Sequence, residues 1–389
     1  MNQGSTLFAQ LFSHCSRFAL DRCIQRYRGN HRVRSFSCRD QFLVMAFAQL
    51  TYRESLRDIE ACLGAVPERL YHMGIRGAVS RTTLADANER RDWRIYADFA
   101  QVLISEARHL YAGEALELEL EQTVYALDST TIELCLELFP WARVAEGRAA
   151  VKLHTLLDLR GNIPAYACIT PANFADPRIL DVLIPEPGSI YVLDRGYLSF
   201  KRLFKLDQAR ATFVTRAKKN QKLRRIYSRP VDRATGLICD QTVVLELAAT
   251  AAHYPKKLRR IRYNDPDTGK RLCFLTNDFD LPALSVARLY KARWQVEVFF
   301  KWIKQHLRIK AFYGTSENAV KTQLWIAISV YVLVAIVRKR LRIEASLHTI
   351  LQILSISLFE KTELPQALSS AMPRMSELST CNQLPLFDF

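Results

Sequence analysis

The sequence predicts a mixed α/β protein: an all-α leading region, then a strand-rich stretch, then closing helices. Three observations carry that prediction. Residues 1 to about 118 read as helical throughout. From about residue 119 the texture becomes short, β-branched and aromatic, as in "QTVYALDSTTIEL". From about residue 283 long helical stretches return, among them "YKARWQVEVFFKWIKQHL" (Tyr290 to Leu307). The early strands meander, and no G-x-G-x-x-G follows any of them, so a Rossmann repeat is excluded. A chain of 389 residues that is 49% apolar can build a sizeable core in two or three domains.

In the leading region Ser37 is placed to cap a helix through "RDQFLVMAFAQL". Thr51 or Arg53 opens a second, "RESLRDIEACL", stopped by Gly64. Two short helices joined by a tight turn resemble a helix-turn-helix, a pattern that many all-α cores share. A further helix starts near "SRTTLADANERRDW", with Ser80 or Thr82 as its cap. Its Arg81, Arg90, Arg91 and Arg94 offer either phosphate contacts or a solvated basic face.

The first strand is expected to end at Asp128. "AVKLHTLLDLRGNIPAYACIT" reads as two strands around a turn at Arg160, Gly161 and Asn162. "FADPRILDVLI" suits a short helix, and "GSIYVLDRGY" an apolar strand that ends at Asp194. "SFKRLFKL" starts another helix. From about 211 to 281 strands dominate again in "ATFVTRA", "QTVVLEL", "RRIRYND" and "RLCFLTND", and "NDPDTGK" suggests a hairpin between the last two. The apolar run from Leu324 to Val337 falls short of the roughly 18–20 residues of a membrane span, so it reads as a buried core helix. A basic "RKRLR" segment follows from Arg338, and the tail to Phe389 reads as helical, then loose.

The formal net charge of +16 favours polyanionic partners, nucleic acid before membrane, with a basic solubility surface as the plainer alternative. The nine cysteines are scattered without a C-x-x-C pair, and the eight histidines show no ligand spacing with them. These cysteines are expected to be reduced core residues. Nothing at the N-terminus has the pattern of a secretory signal.

Chemistry gathers at three acidic residues. Asp128 and Asp194 are each expected at the C-terminal end of an apolar strand, where carboxylates are common ligands for Mg²⁺. A lone aspartate there means little, since Asp also starts turns, as Asp158 in "LLDLRG" does. The helix from Tyr290 supplies the third. At about 100° per residue, Tyr290, Arg293, Glu297 and Lys304 fall near 0°, 300°, 340° and 320°, on a strip roughly 60° wide. The apolar Ala292, Val296, Phe299, Phe300, Ile303 and Leu307 take the adjacent arc, while Trp294 and Trp302 lie outside it. A carboxylate, two cations and a phenol on one strip suit a metal-plus-phosphate site, against the alternative of a surface helix with aligned charges.

These residues resemble the bacterial insertion-sequence transposases of the DDE type, and specifically the insertion-sequence-four family. Its Y-x2-R-x3-E-x6-K signature is met by Tyr290, Arg293, Glu297 and Lys304, and its two aspartate motifs by "YALDST" and "VLDRGY". "KLHTLLDLRGNIP" is similar to the strand pair between those motifs. One departure is Ala175 in "NFADPRIL", where relatives often place His, which leaves the role of Asp176 open.

The resemblance implies a ribonuclease-H-like core, residues 119–210 and 283–345, interrupted by a β-rich insertion at 211–282. Residues 1–118 would be a helical DNA-binding domain and 346–389 a helical tail. It further implies two divalent ions, Mg²⁺ or Mn²⁺, held by Asp128, Asp194 and Glu297, with Tyr290, Arg293 and Lys304 holding DNA phosphates. The reaction would be cut-and-paste transposition: hydrolysis at the element's end, a hairpin, its opening, and strand transfer into target DNA. The partners would be the terminal inverted repeats and target DNA, with a homodimer in the synaptic complex and no membrane. The place of action would be the cytoplasm, at the nucleoid when bound to DNA. A base flipped at the hairpin would need an aromatic to stack on, and Trp294 or Trp302 could serve, with core packing the plainer fate for both. The alternatives are a ribonuclease-H-like nuclease that does not join strands, and a non-catalytic DNA-binding regulator derived from a transposase.

Overall fold

The structure is a computed structural model and describes residues 4–114, 120–145, 147–306 and 312–369. Leu307 and the tail from residue 370 lie outside the described residues. The leading helices are α1 (Leu7–Ser13), α2 (Arg17–Arg26), α3 (Cys38–Leu50), α4 (Leu56–Gly64), α5 (Pro67–Leu70), α6 (Arg81–Arg90) and α7 (Arg94–Tyr111). Ser37 caps α3 in a reciprocal capping box with Asp40, and Ser80 caps α6. The cap of α4 is Ser55, not Thr51 or Arg53, because the hydroxyl at that position accepts from the N–H of Asp58. Every residue of α3 except Arg39 is buried, so α3 is a core helix.

Ten strands follow among the described residues: β1 (Val124–Leu134), β2 (Arg143–Ala145), β3 (Arg148–Asp158), β4 (Ile163–Pro171), β5 (Ile190–Leu193), β6 (Thr212–Arg216), β7 (Leu223–Arg229), β8 (Leu237–Leu245), β9 (Leu258–Asn264) and β10 (Arg271–Thr276). Short helices α8 (Ile179–Val182), α9 (Phe200–Gln208) and α10 (Ala248–His253) lie between them. All the strands join one sheet in the order β2-β3-β1-β5-β6-β10-β9-β8-β7, with β4 paired to β3. β1, β5 and β6 run parallel, and the other pairings are antiparallel. The strands of 211–281 therefore extend the same sheet.

The side-chain alternation of β1 and β5 explains how that sheet is held. Val124, Ala126, Ile190 and Val192 enter one core, and Tyr125, Leu127, Tyr191 and Leu193 enter a second on the opposite face. The turn between β3 and β4 falls at the expected residues, with Gly161 at φ +72°. A Cβ there would come within 2.0 Å of the Tyr111 ring, so the turn needs glycine for both backbone and space.

The closing helices are α11 (Ala283–Ala292), α12 (Trp294–His306), α13 (Glu317–Arg340), α14 (Leu347–Ser357) and α15 (Leu364–Ser369). α13 is 24 residues, longer than its apolar run suggested, and so is long and apolar enough to cross a membrane. Yet 94% of its apolar window is buried in the molecule, which makes it the core helix expected from the sequence. It carries the main hydrophobic core, which runs from Leu7 of α1 to Leu368 of α15 and joins the leading helices to the sheet. Tyr111 of α7 donates its hydroxyl to the carbonyl of Ala335 on α13 at 3.0 Å, fixing that joint.

Candidate active site

Strand register brings the two aspartates together. Leu127 of β1 is paired with Leu193 of the parallel β5, so the next residue of each chain, Asp128 and Asp194, emerges side by side. β5 stops there, and Asp194 caps a one-turn helix at Arg195–Tyr197. β1 does not stop at Asp128 as expected. It continues to Leu134 because the "STTIEL" run goes on pairing with β3 after β5 has ended. Asp128 thus lies within a strand, at the point where the buried half gives way to a half-exposed one. An open sheet places its ligand site at such carboxyl ends of parallel strands.

The helix expected to be continuous from Tyr290 is broken at Arg293, which closes a tight turn on Tyr290 between α11 and α12. Arg293 keeps right-handed helical backbone angles through that point, and three of the four polar residues converge. Arg293 donates from Nη1 to Asp128 Oδ2 and from Nη2 to Glu297 Oε1, both at 2.6 Å. Tyr290 donates its hydroxyl to Asp194 Oδ1 at 2.9 Å. Lys304 stands apart from that cluster and donates to the carbonyl of Thr131, three positions beyond Asp128 on β1, at 2.9 Å.

Packing explains the aim of these groups. Val296, Phe299, Phe300 and Ile303 are buried, as their arc predicts. Phe299 and Trp302 meet the ring of Tyr331 on α13, and the Tyr290 ring packs against Phe274 of β10 at 5.0 Å. Core packing therefore holds for Trp302. It fails for Trp294, which is 60% exposed beside Arg293 and lies outside the apolar arc.

The electrostatics follow burial and partners. Burial pushes the Asp128 carboxyl above its ordinary range, Asp194 and Glu297 add to that, and Arg293 and the Ser129 N–H offset part. Burial acts on Asp194 in the same sense, but the Arg195 N–H, the Tyr290 hydroxyl and Arg293 outweigh it and leave this carboxyl below its ordinary range. Tyr290 is pushed up to about 12 by burial and by Asp194.

Residues that sequence reasoning missed stand next to this cluster. Ser129 donates its N–H to Asp128 at 2.8 Å and its hydroxyl to Asp176 at 3.0 Å. Lys152 of β3 pairs with the same Asp176 oxygen at 2.9 Å. Asp176, left open by the sequence, thus braces the strand one residue from Asp128. Of the arginines singled out on α6 and beyond, Arg91 is tied to Ser37 and Gln41, and Arg94 to Asp92.

Three carboxylates are hard oxygen donors of the kind a divalent ion takes. Among the described residues, however, no three acidic, histidine or cysteine groups are spaced to hold an ion between them. The positive charge between Asp128 and Glu297 is the Arg293 guanidinium, whose Nε is buried without a hydrogen-bond partner among the described residues. The donor chemistry fits a cation, and the protein already places one there.

Comparison with known proteins identifies the class. Residues 119–333, the stretch that contains Asp128, Asp194 and Glu297, match the transposase DDE domain family. Residues 3–76 match a second family, a domain of unknown function (DUF4372). The chain is 32% identical over 284 residues to a protein of Sinorhizobium fredii named as transposase y4zB, covering 72% of this chain and 78% of that one. It is 31% identical over 216 residues to a protein of Geobacillus stearothermophilus named as the transposase of insertion sequence element IS5377, over 56% of this chain and 57% of that one. A Synechocystis protein named for insertion sequence element IS4SA is 24% identical over 266 residues, 67% of this chain and 73% of its own. The chain belongs to the DDE transposase family. It is a DNA-cleaving transposase, of a family that uses divalent metal ions.

Proposed function

We propose that Asp128, Asp194 and Glu297 are the acidic triad of a cut-and-paste reaction, and that Tyr290, Arg293 and Lys304 hold the DNA phosphates around it. The observation that carries this reading is the convergence of β1, β5 and α12 on Arg293 and Tyr290. The strand order β4-β3-β1-β5-β6, three antiparallel strands and then two parallel to β1, supports a ribonuclease-H-like core at 119–210 and 283–345. Residues 211–282 are then an insertion that continues its sheet, 1–118 a DNA-binding region, and 346–389 a tail.

In this reading Asp128, Asp194 and Glu297 hold two divalent ions, Mg²⁺ or Mn²⁺, whose chemistry is to stabilise the attacking and leaving oxygens of an in-line displacement. The planar fork of Arg293, now on two carboxylates, has the geometry to grip a phosphate once their charge is met otherwise. Tyr290 orients Asp194 through its hydroxyl, and Lys304 adds charge further along β1. Hydrolysis, hairpin formation, hairpin opening and strand transfer are all displacements at phosphorus, so one site serves each. Two element ends must be brought together, which calls for a homodimer acting at the bacterial nucleoid in the cytoplasm.

Purified protein mixed with Mg²⁺ and labelled inverted-repeat ends tests the reading on a denaturing gel. Hairpin and strand-transfer products are expected. Cleavage without joining would make the protein a nuclease, and a shifted band without cleavage a binding regulator; either result sinks the proposal.

A further inference from the structure

Beside the acidic cluster the sheet forms a pocket of about 250 Å³ whose charged lining is all arginine and lysine, without one carboxylate. Arg260 and Arg262 are two residues apart on β9, so the strand period puts both on one face. Cys273 of β10 is paired with Arg262, and Arg271, two residues before it, joins the same row. Lys218 and Lys219 come from the loop after β6. Arg195 and Arg216 close the end toward the triad. Arg195 follows Asp194, and the Arg216 guanidinium lies 6.0 Å from the centre of the Tyr290 ring, whose hydroxyl holds Asp194.

Several cations elsewhere in this chain find carboxylates. Arg202 and Lys205 share Asp181, and Arg259, on the opposite face of β9, is buried against Asp240. In the pocket Arg260 donates instead to an amide, Gln241, at 3.1 Å. Like charges crowded into one concavity repel each other, and that cost is removed when a polyanion enters. A concave row of guanidinium and ammonium groups suits phosphate oxygens, which arginine can grip in pairs.

We propose that this pocket binds backbone phosphates of the DNA strand running on from the acidic triad, either in the element's end or in the target duplex. The inference rests on the transposase reading of that triad. Each phosphate neutralised releases counterions and steepens the fall of affinity with salt by about 0.9 in log–log slope for duplex DNA.

The test is fluorescence anisotropy on the full chain across a salt series, with the variant Lys218→Gln, Arg262→Gln, Arg271→Gln. One arm uses a random-sequence duplex, as target, and the other a duplex that carries the terminal inverted repeat. The variant is expected to lower the slope by about 2 to 3 and to bind about tenfold more weakly at moderate salt, in the arm whose DNA occupies the pocket. The charge-retaining variant Lys218→Arg, Arg262→Lys, Arg271→Lys should keep the wild-type slope, which rules out misfolding as the cause. Replacing the ion-paired surface residues Arg148, Lys205 and Lys256 by Gln should leave the slope unchanged in both arms. An unchanged slope in both arms for the pocket variant overturns the proposal. If the pocket variant loses slope while Glu297→Gln still cleaves DNA, the pocket stands and the triad assignment falls.

Discussion

The guanidinium of Arg293 pairs with both Asp128 and Glu297 while only 12% of its side chain reaches solvent. Removing one partner from a buried charge cluster leaves the others uncompensated, at a cost of about 3 kcal/mol or more. Arg293→Ala should therefore lower the stability of chelator-treated protein by about 3 kcal/mol in urea unfolding. A loss below about 1 kcal/mol would show that the bridge does not hold the carboxylates. Lys304 donates to the Thr131 carbonyl, three positions beyond Asp128 on β1. Lys304→Ala should slow hairpin formation more than first-strand cleavage and leave partial activity. Equal loss at both steps, in single-turnover assays, would count against a phosphate-holding role. Trp294 belongs to this scale too: its exposure accords with its place outside the apolar arc of the helical wheel.

At the scale of elements, β3 carries a buried histidine whose consequence is measurable. His154 meets Thr170 through Nε2 at 3.0 Å, and its Nδ1 is buried without a partner among the described residues. Burial lowers its pKa from 6.5 to about 4, with Lys152 acting in the same sense and Asp176 against it. The unfolded chain then binds a proton below pH 6.5 that the folded chain refuses until about pH 4. Its contribution is fully present above pH 6.5 and is lost as pH falls, by about 3 kcal/mol at pH 4. His154→Gln should flatten the difference in stability between pH 7 and pH 4, measured against wild type by urea unfolding. A variant with the wild-type slope would contradict it.

Much at this scale was legible in the residues themselves. Apolar and β-branched runs marked β3, β4, β5, β6, β8, β9 and β10, and Ser37 and Ser80 announced their helices by side-chain capping. β7 escaped because "LRRIYSR" lies mostly exposed, without the apolar face that betrays a strand. The extension of β1 past Asp128 escaped because its stopping point depends on where β5 ends, a partner far away in sequence.

For the molecule as a whole, what the sequence could not display was pairing over distance. The strands of 211–281 read locally as their own β unit, whereas β6 and β10 continue the sheet that carries Asp128 and Asp194. The leading helices likewise share one core with α13. The excess of +16 was visible at once, but the basic pocket beside the acidic cluster needed the register of β9 on β10. The three acidic residues and the signature around Glu297 were legible because each is tied to a local element. Their meeting on Arg293 and Tyr290 was not, since it requires β1, β5 and α12 to be brought together by the fold. The measurement that tests this account most directly is single-turnover cleavage of a labelled inverted-repeat end in Mg²⁺ by Glu297→Gln, with end binding measured in parallel. The account predicts binding close to wild type and no cleavage. Cleavage at the wild-type rate would contradict it.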